Sequence, residues 1–262
     1  MSFKVVLLSH TPDPEKVVAT AAKLCYSNTS VENIYDKLDS EAVKNFLNLL
    51  IDVGHESPLE HVSFTFGIEG VSRSFTHQLV RHRIASYSQQ SQRYVRLDGF
   101  EYVIPPSIEE DEELKTIFVD TMNQIAKSYK ILTEKLQERH KNALVNKGFS
   151  EKEALKKAEK MAIEDARYVL PNACETKIIM TMNARELLHF FEQRCCNRAQ
   201  WEIRSVADKI LEIVKEIAPN IFKFAGPKCI RLGYCPEGKF SCGEFEKVKK
   251  KYLGKREENE DN

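Results

Sequence analysis

The chain reads as an α+β protein in which a small, largely antiparallel sheet is packed with long helices. Three observations predict this class. Short strand-like runs stand at 3–8 and 177–182, apolar and polar residues alternate strictly from Val62 to Glu69, and the helical stretches between them are far longer than any strand.

The run at 3–8 is a first strand. Thr11 and Pro12 then supply an N-cap and a first-turn proline for a helix through Lys23. Ser40 caps a second helix, with Val43, Phe46, Leu47 and Leu50 on one apolar face, and Gly54 ends it. After the alternating strand, Val71, Phe75 and Leu79 recur at helical spacing, which sets Gln78, Arg81 and His82 together on another face. Tyr102 to Pro106 is a short extended edge. From Glu112 to Asn146 the pattern is helical; it breaks at Gly148 and restarts at Ser150 in the capping box Ser150-Glu151-Lys152-Glu153. This charged helix pair reads as solvated face and subunit packing, with a coiled-coil partner site as the weaker alternative.

The helix runs on to about Pro171, and 177–182 is a buried strand. Asn183 and Glu186 have the form of a second capping box. At ~100° per residue Arg185 and His189 share one face of that helix and Arg194 falls opposite, so Arg194 is expected to serve a different site from Arg185. An amphipathic helix at 203–217 stops before Pro219, Trp201 reads as core, and the tail 247–262 reads as charged and frayed.

Composition narrows the function. A chain of 262 residues, 42% hydrophobic, can bury a sizeable core. With 39 basic and 39 acidic residues there is no global field to hold nucleic acid or an anionic membrane, so any polyanion preference must be local. No apolar run reaches the ~18 residues a membrane span needs. Met1-Ser2-Phe3-Lys4 leads straight into strand rather than a signal peptide, which predicts a cytoplasmic protein. Seven cysteines, odd in number and unevenly placed, fit reduced thiols. Cys229, Cys235 and Cys242 are too widely spaced for the usual zinc knuckle, and Cys195-Cys196 beside Phe191 reads as packing.

One local anion site stands out. Between Gln78 and Tyr94 lie Arg81, Arg83, Arg93, His82 and the hydroxyls of Ser86, Ser88 and Ser91, with no carboxylate between Glu69 and Asp98. Guanidinium forks, hydroxyls and loop amides together suit a phosphate. On residue types alone a plain solvated loop remains the alternative. A second cluster, Gly54-His55-Glu56-Ser57-Pro58-Leu59-Glu60-His61, holds two histidines and carboxylates, but no third group completes a ligand set and no metal is expected.

Arg81-His82-Arg83, two residues, Ser86, four residues, Ser91, one residue, Arg93 resembles in full the signature of the flavin-dependent thymidylate synthases. The 54–61 cluster is similar to that family's Gly-His-Glu-x-Pro-x-Glu-His motif, with Ser57 where Thr is common, and Ala166 to Pro171 to its Ala-Arg-x-Val-Leu-Pro segment. The resemblance covers about 3–225. It implies the thymidylate synthase-complementing fold over 1–226, with 227–262 as an extension, and a cytoplasmic homotetramer with active sites shared between chains.

It further implies reductive methylation of dUMP to dTMP, with FAD as cofactor and NADPH and methylenetetrahydrofolate as co-substrates. By resemblance Gln78, Arg81, Gln89, Gln90, Ser91, Gln92, Arg93, Arg167 and Arg194 would bind dUMP, Arg194 being catalytic through the uracil. Ser57, Arg81, His82, Arg83, Gln89, Asn183, Arg185 and His189 would contact FAD, and His55 would line the site. Many members carry Glu at the position of Gln89, and an amide there gives up a base and a charge. A covalent role for Ser91 lacks a neighbouring base in the sequence, so ligand binding is expected instead. The rivals are a non-catalytic nucleotide- or RNA-binding protein using the Arg81 to Arg93 loop, and a flavin reductase without a nucleotide acceptor.

Overall fold

The structure is a computed structural model that describes residues 3–254. In chain order, β1 (Lys4–His10) precedes α1 (Pro14–Leu24), α2 (Val31–Lys37) and α3 (Ser40–Val53), and then come β2 (Ser63–Ser72), α4 (Arg73–Leu79) and β3 (Ala85–Gln89). The second half runs through α5 (Pro106–Glu109), α6 (Glu112–Asn146), α7 (Glu151–Ala166), β4 (Glu175–Asn183), α8 (Ala184–Arg194), α9 (Trp201–Ile217), α10 (Lys228–Leu232) and α11 (Phe245–Leu253). The four strands make one antiparallel sheet in the order β1-β2-β4-β3, so the fold is α+β. Among the described residues no helix is long and apolar enough to cross a membrane.

Several boundaries differ from the sequence expectation for identifiable reasons. Thr11 does not cap α1: its N–H donates to Ser63 O and its Oγ1 accepts from Ser63 N, both at 3.0 Å, which ties it to β2. The turn into α1 falls to Asp13, in the left-handed region at φ 44°, with Pro14 opening the helix. Asp39, not Ser40, caps α3 by accepting from Ala42 N at 2.8 Å. β2 runs three residues past the alternating stretch because Gly70, at φ 72°, shifts the strand's phase and turns Val71 inward. The edge expected near Tyr102 is a single bridge to Cys174. The tail is helical as far as Leu253, and 255–262 lie outside the described residues.

The chain forms two compact units. One takes the described part of 1–4 with 69–77 and 88–178. Its frame is the pair α6 and α7, where Ala154, Ala158, Ala162 and Ala166 are buried and their small side chains let the helices approach closely. The expected capping box is present at Ser150 and Glu153.

The other unit takes 5–68, 78–87 and the described residues from 179 onward. Phe64, Phe66 and Ile68 of β2 and Met180 and Met182 of β4 point inward, as do Leu187, Phe190 and Phe191 of α8 and Ile203, Val206 and Ile210 of α9. The Phe64 ring stacks on His10 and meets Phe222 edge-on, with centroids 5.8 Å apart in the latter pair. Trp201, expected in the core, is only partly buried at the first turn of α9. Phe64→Ala should remove about 3 to 5 kcal/mol of stability, the cost of deleting a fully buried aromatic ring, read as a lowered denaturant midpoint at unchanged slope.

Candidate functional site

The Gln78 to Tyr94 stretch is not one turn. α4 ends at Leu79, the chain turns through His82, and Ala85–Gln89 is the strand β3, which sequence reading missed. Ser86 and Ser88 therefore stand on a strand, both exposed. The early helix end also separates residues expected on one face: Arg81 is exposed while His82 is buried. Tyr87 holds the turn, its hydroxyl lying 2.9 Å from Leu79 O and 3.0 Å from His82 O. Burial and the Glu186 charge hold that phenol above its ordinary range, so it stays a donor.

His82 lies between two charged groups of the same unit. Its Nδ1 is 3.2 Å from Glu186 Oε1, and its Nε2 is 3.1 Å from Arg194 Nε. Burial, then Arg194, then His189 lower its pKa to about 4, so the imidazole is neutral at ordinary pH. Glu186 did not keep its expected reciprocal cap: Asn183 Oδ1 accepts from Glu186 N at 2.8 Å, while the Glu186 carboxylate turns inward to His82. Burial pushes that carboxyl up, with His189 opposing.

Arg194 is the last residue of α8, where a cation complements the helix's free carbonyls. Its Nη2 donates weakly to Gln78 O at 3.5 Å. It lines a cavity of about 230 Å³ together with Cys196, Arg198, Lys228, Cys229 and Cys235. Burial and the nearby Arg81 lower its pKa. Two cations in proximity, one half desolvated, favour an anionic ligand.

Arg185 and His189 line a different cavity, of about 410 Å³, with Asn183, Glu56 and Glu60. Arg185 is paired there, its Nη1 to Glu60 and its Nε 3.4 Å from Glu56 Oε2. These carboxylates belong to the 54–61 cluster, in which His55, Ser57 and His61 are exposed on a 3-10 turn at Ser57–His61. Among the described residues no group of three or more His, Cys, Asp or Glu is placed to hold a metal ion.

The remaining predicted residues belong to the other unit. Gln89 Nε2 donates to Thr76 Oγ1 at 3.0 Å and to Thr176 Oγ1 at 3.3 Å. Thr76 spends its own hydrogen on Arg73 O at 2.9 Å, so it can only accept, and an amide suits this place where a carboxylate would meet a lone pair. Gln90 N donates to Lys177 O at 2.9 Å, Gln92 Nε2 approaches Cys174 Sγ at 3.7 Å, and Ser91 Oγ accepts from Arg93 N at 3.2 Å.

Arg93 Nη2 pairs with Glu164 at 2.6 Å, and Arg167 Nε donates to Glu164 O at 3.2 Å. Arg93 thus holds the Glu164 carboxylate and Arg167 its backbone carbonyl, while Asp165 faces His140 at 3.8 Å. Arg93 Nε is buried without a hydrogen-bond partner among the described residues. Such an orphan donor costs about 1 to 3 kcal/mol, which a bound acceptor would recover.

His82 also gives the fold a pH dependence. An unfolded imidazole takes its proton near 6.5, so between there and about 4 the unfolded chain binds the extra proton and stability falls as pH falls. Above that window this contribution is fully present; at its bottom the loss is about 3 kcal/mol. Glu186, with its raised pKa, acts in the opposite sense. Denaturant midpoints between pH 7 and 4.5 should therefore slope less in His82→Gln than in the parent, and an unchanged slope removes His82 as the source.

The comparisons agree with these motifs. A family model described as thymidylate synthase complementing protein matches residues 6–220. A flavin-dependent thymidylate synthase of Clostridium tetani is 58% identical over 97% of this chain and 98% of its own. One of Geobacter sulfurreducens is 51% identical over 95% and 97%, and one of Pyrococcus abyssi 44% identical over 89% of each chain. The chain belongs to the thymidylate synthase complementing protein family, as the Arg81 to Arg93 signature indicated.

Proposed function

We propose that the chain is a flavin-dependent thymidylate synthase that methylates dUMP to dTMP, with methylenetetrahydrofolate as carbon donor and FAD reduced by NADPH. One observation carries the site reading: Arg194 lines the 230 Å³ cavity while its Nε donates to His82 Nε2 and its Nη2 to Gln78 O. A rigidly held cation suits a uracil ring that gains negative charge as its 5-position reacts.

The FAD contacts fit the 410 Å³ cavity, which lies within the usual size of a cofactor pocket and offers Asn183, Arg185 and His189. Arg185 would trade Glu56 and Glu60 for phosphate oxygens; Ser57, Arg81, His82, Arg83 and Gln89 complete the proposed set, with His55 at the border. When bound, reduced FAD supplies the hydride that completes the methyl group and mediates the methylene transfer.

The chain's own residues bind, orient and hold charge. Ser91, Arg93 and Arg167 would hold the dUMP phosphate, and Arg93 Nε would gain the acceptor it lacks. Gln78, Arg81, Gln89, Gln90 and Gln92 complete that set. Gln89 binds without transferring protons, because an amide does not titrate. Ser91 Oγ already accepts from Arg93 N, which favours ligand binding over a nucleophilic role. The synthase occupies 1–226 with 227–262 as an extension, in a cytoplasmic homotetramer with shared active sites and no nucleic-acid partner.

The direct test is NADPH oxidation by FAD-reconstituted protein with and without dUMP, followed by dTMP analysis once methylenetetrahydrofolate is present. Formation of dTMP is expected; NADPH consumption without dTMP would leave a flavin reductase, and absent flavin binding would favour the nucleotide-binding rival. Arg194→Ala should lower dTMP turnover about 10²- to 10³-fold with flavin retained, and loss of flavin at normal turnover per flavin contradicts the role. Ser91→Ala should raise the dUMP requirement yet keep measurable turnover; abolished turnover at unchanged dUMP affinity would instead make Ser91 a nucleophile.

A further inference from the structure

The guanidinium of Arg194 can only donate hydrogen bonds. His82 Nε2, 3.1 Å from Arg194 Nε, must therefore be the unprotonated nitrogen of the ring. In a neutral imidazole the proton then sits on Nδ1, and that nitrogen needs an acceptor. Glu186 Oε1 supplies one at 3.2 Å. His82 is 6% exposed and Glu186 8%, so water offers little substitute for either bond.

We infer that Glu186 is a positioning residue: by accepting the Nδ1 proton of His82 it leaves Nε2 free to hold Arg194 in place for the substrate. This rests on the reading of Arg194 as the uracil-binding arginine. The chain of contacts runs from a buried carboxylate through a neutral ring to a half-buried cation, and each link fixes the next. Without the acceptor, Nδ1–H is left buried and unpaired. The ring then gains by moving its proton to Nε2 or by rotating, and either change puts a donor, or nothing, in front of Arg194 Nε. Arg194 itself has further donors directed elsewhere, and Gln78 O alone, at 3.5 Å, is a weak restraint on a long side chain.

The role belongs to an acceptor oxygen rather than to a negative charge, and this separates it from plain electrostatics. Other groups near the ring do not duplicate it: His189 meets His82 edge-on at 5.8 Å and Phe190 at 5.0 Å, both ring contacts without a hydrogen bond to Nδ1.

Two variants and one spectrum test it. Glu186→Leu, similar in size and without an acceptor, should lower dTMP turnover about tenfold or more, the scale on which a displaced binding group acts, while FAD content and dUMP-independent NADPH oxidation persist. Glu186→Gln, which keeps an amide oxygen, should stay within about twofold of the parent. Normal turnover in Glu186→Leu overturns the proposal, as does equal damage in both variants, or a loss of flavin that accounts for the whole effect. If Glu186→Leu does not fold, the parent protein decides. Solid-state 15N spectra of histidine-labelled protein should contain an Nδ1–H tautomer signal that disappears in His82→Gln, and an Nε2–H signal at that residue overturns the proposal. This readout needs no turnover, so a chain that makes no dTMP would sink the functional reading and leave the tautomer question separately answered.

Discussion

A buried imidazole placed between a carboxylate and a guanidinium has one protonation state that satisfies both neighbours, and much of the local structure follows from holding His82 in it. α4 ends at Leu79, and His82 follows in the turn, buried as Phe75 and Leu79 are. Tyr87 then binds the carbonyls of both Leu79 and His82, closing the turn from the far side. Protonating the ring would place a second cation against Arg194 in a poorly solvated space, which is why its pKa falls so far.

In each unit a cationic residue of the site motifs is held by carboxylates. Arg185 rests on Glu56 and Glu60, and Arg93 on Glu164. In a chain whose formal charge is zero, such pairing keeps a basic cluster from acting as a general polyanion site. An incoming phosphate must compete with a carboxylate for the same fork, so the ligand that wins is one that also satisfies groups the carboxylate leaves alone. Arg93 Nε is such a group. Exposed pairs of this kind are individually weak, which lets them exchange partners at small cost.

The elements with strong periodicity were legible. α6 runs over the residues the helical pattern marked, the capping box at Ser150 forms, and Phe64, Phe66 and Ile68 face inward as their alternation required. β3 was not legible, because Ala85-Ser86-Tyr87-Ser88-Gln89 has neither the β-branched residues nor the apolar alternation that mark a strand. Arg185 and Arg194, expected on opposite faces of one helix, line different cavities. Glu186 was misread as a cap. The signal against that reading was present: four residues before Phe190, it falls on the apolar stripe of α8, where a carboxylate needs an internal partner. The pairing of Arg93 with Glu164 gave no such signal, since nothing in the sequence between 93 and 164 marks the two as partners.

Gln89 shows how far a single substitution within a shared motif can be understood from hydrogen inventory. Thr76 and Thr176 are both buried, and Thr76 has committed its only hydrogen to Arg73 O. The side chain at 89 must then bring hydrogens to Thr76, and an amide brings two where an ionised carboxylate brings none. A glutamate would have to be protonated, or Thr76 would have to release Arg73 O and rotate its hydroxyl. The amide thus stabilises the junction of β3 with α4 and β4 within its own unit, and the oxygen end of Gln89 is left as an acceptor. What the position gives up is titration. Around Arg194, burial shifts His82 downward and Glu186 upward, so the pH response there belongs to that pair.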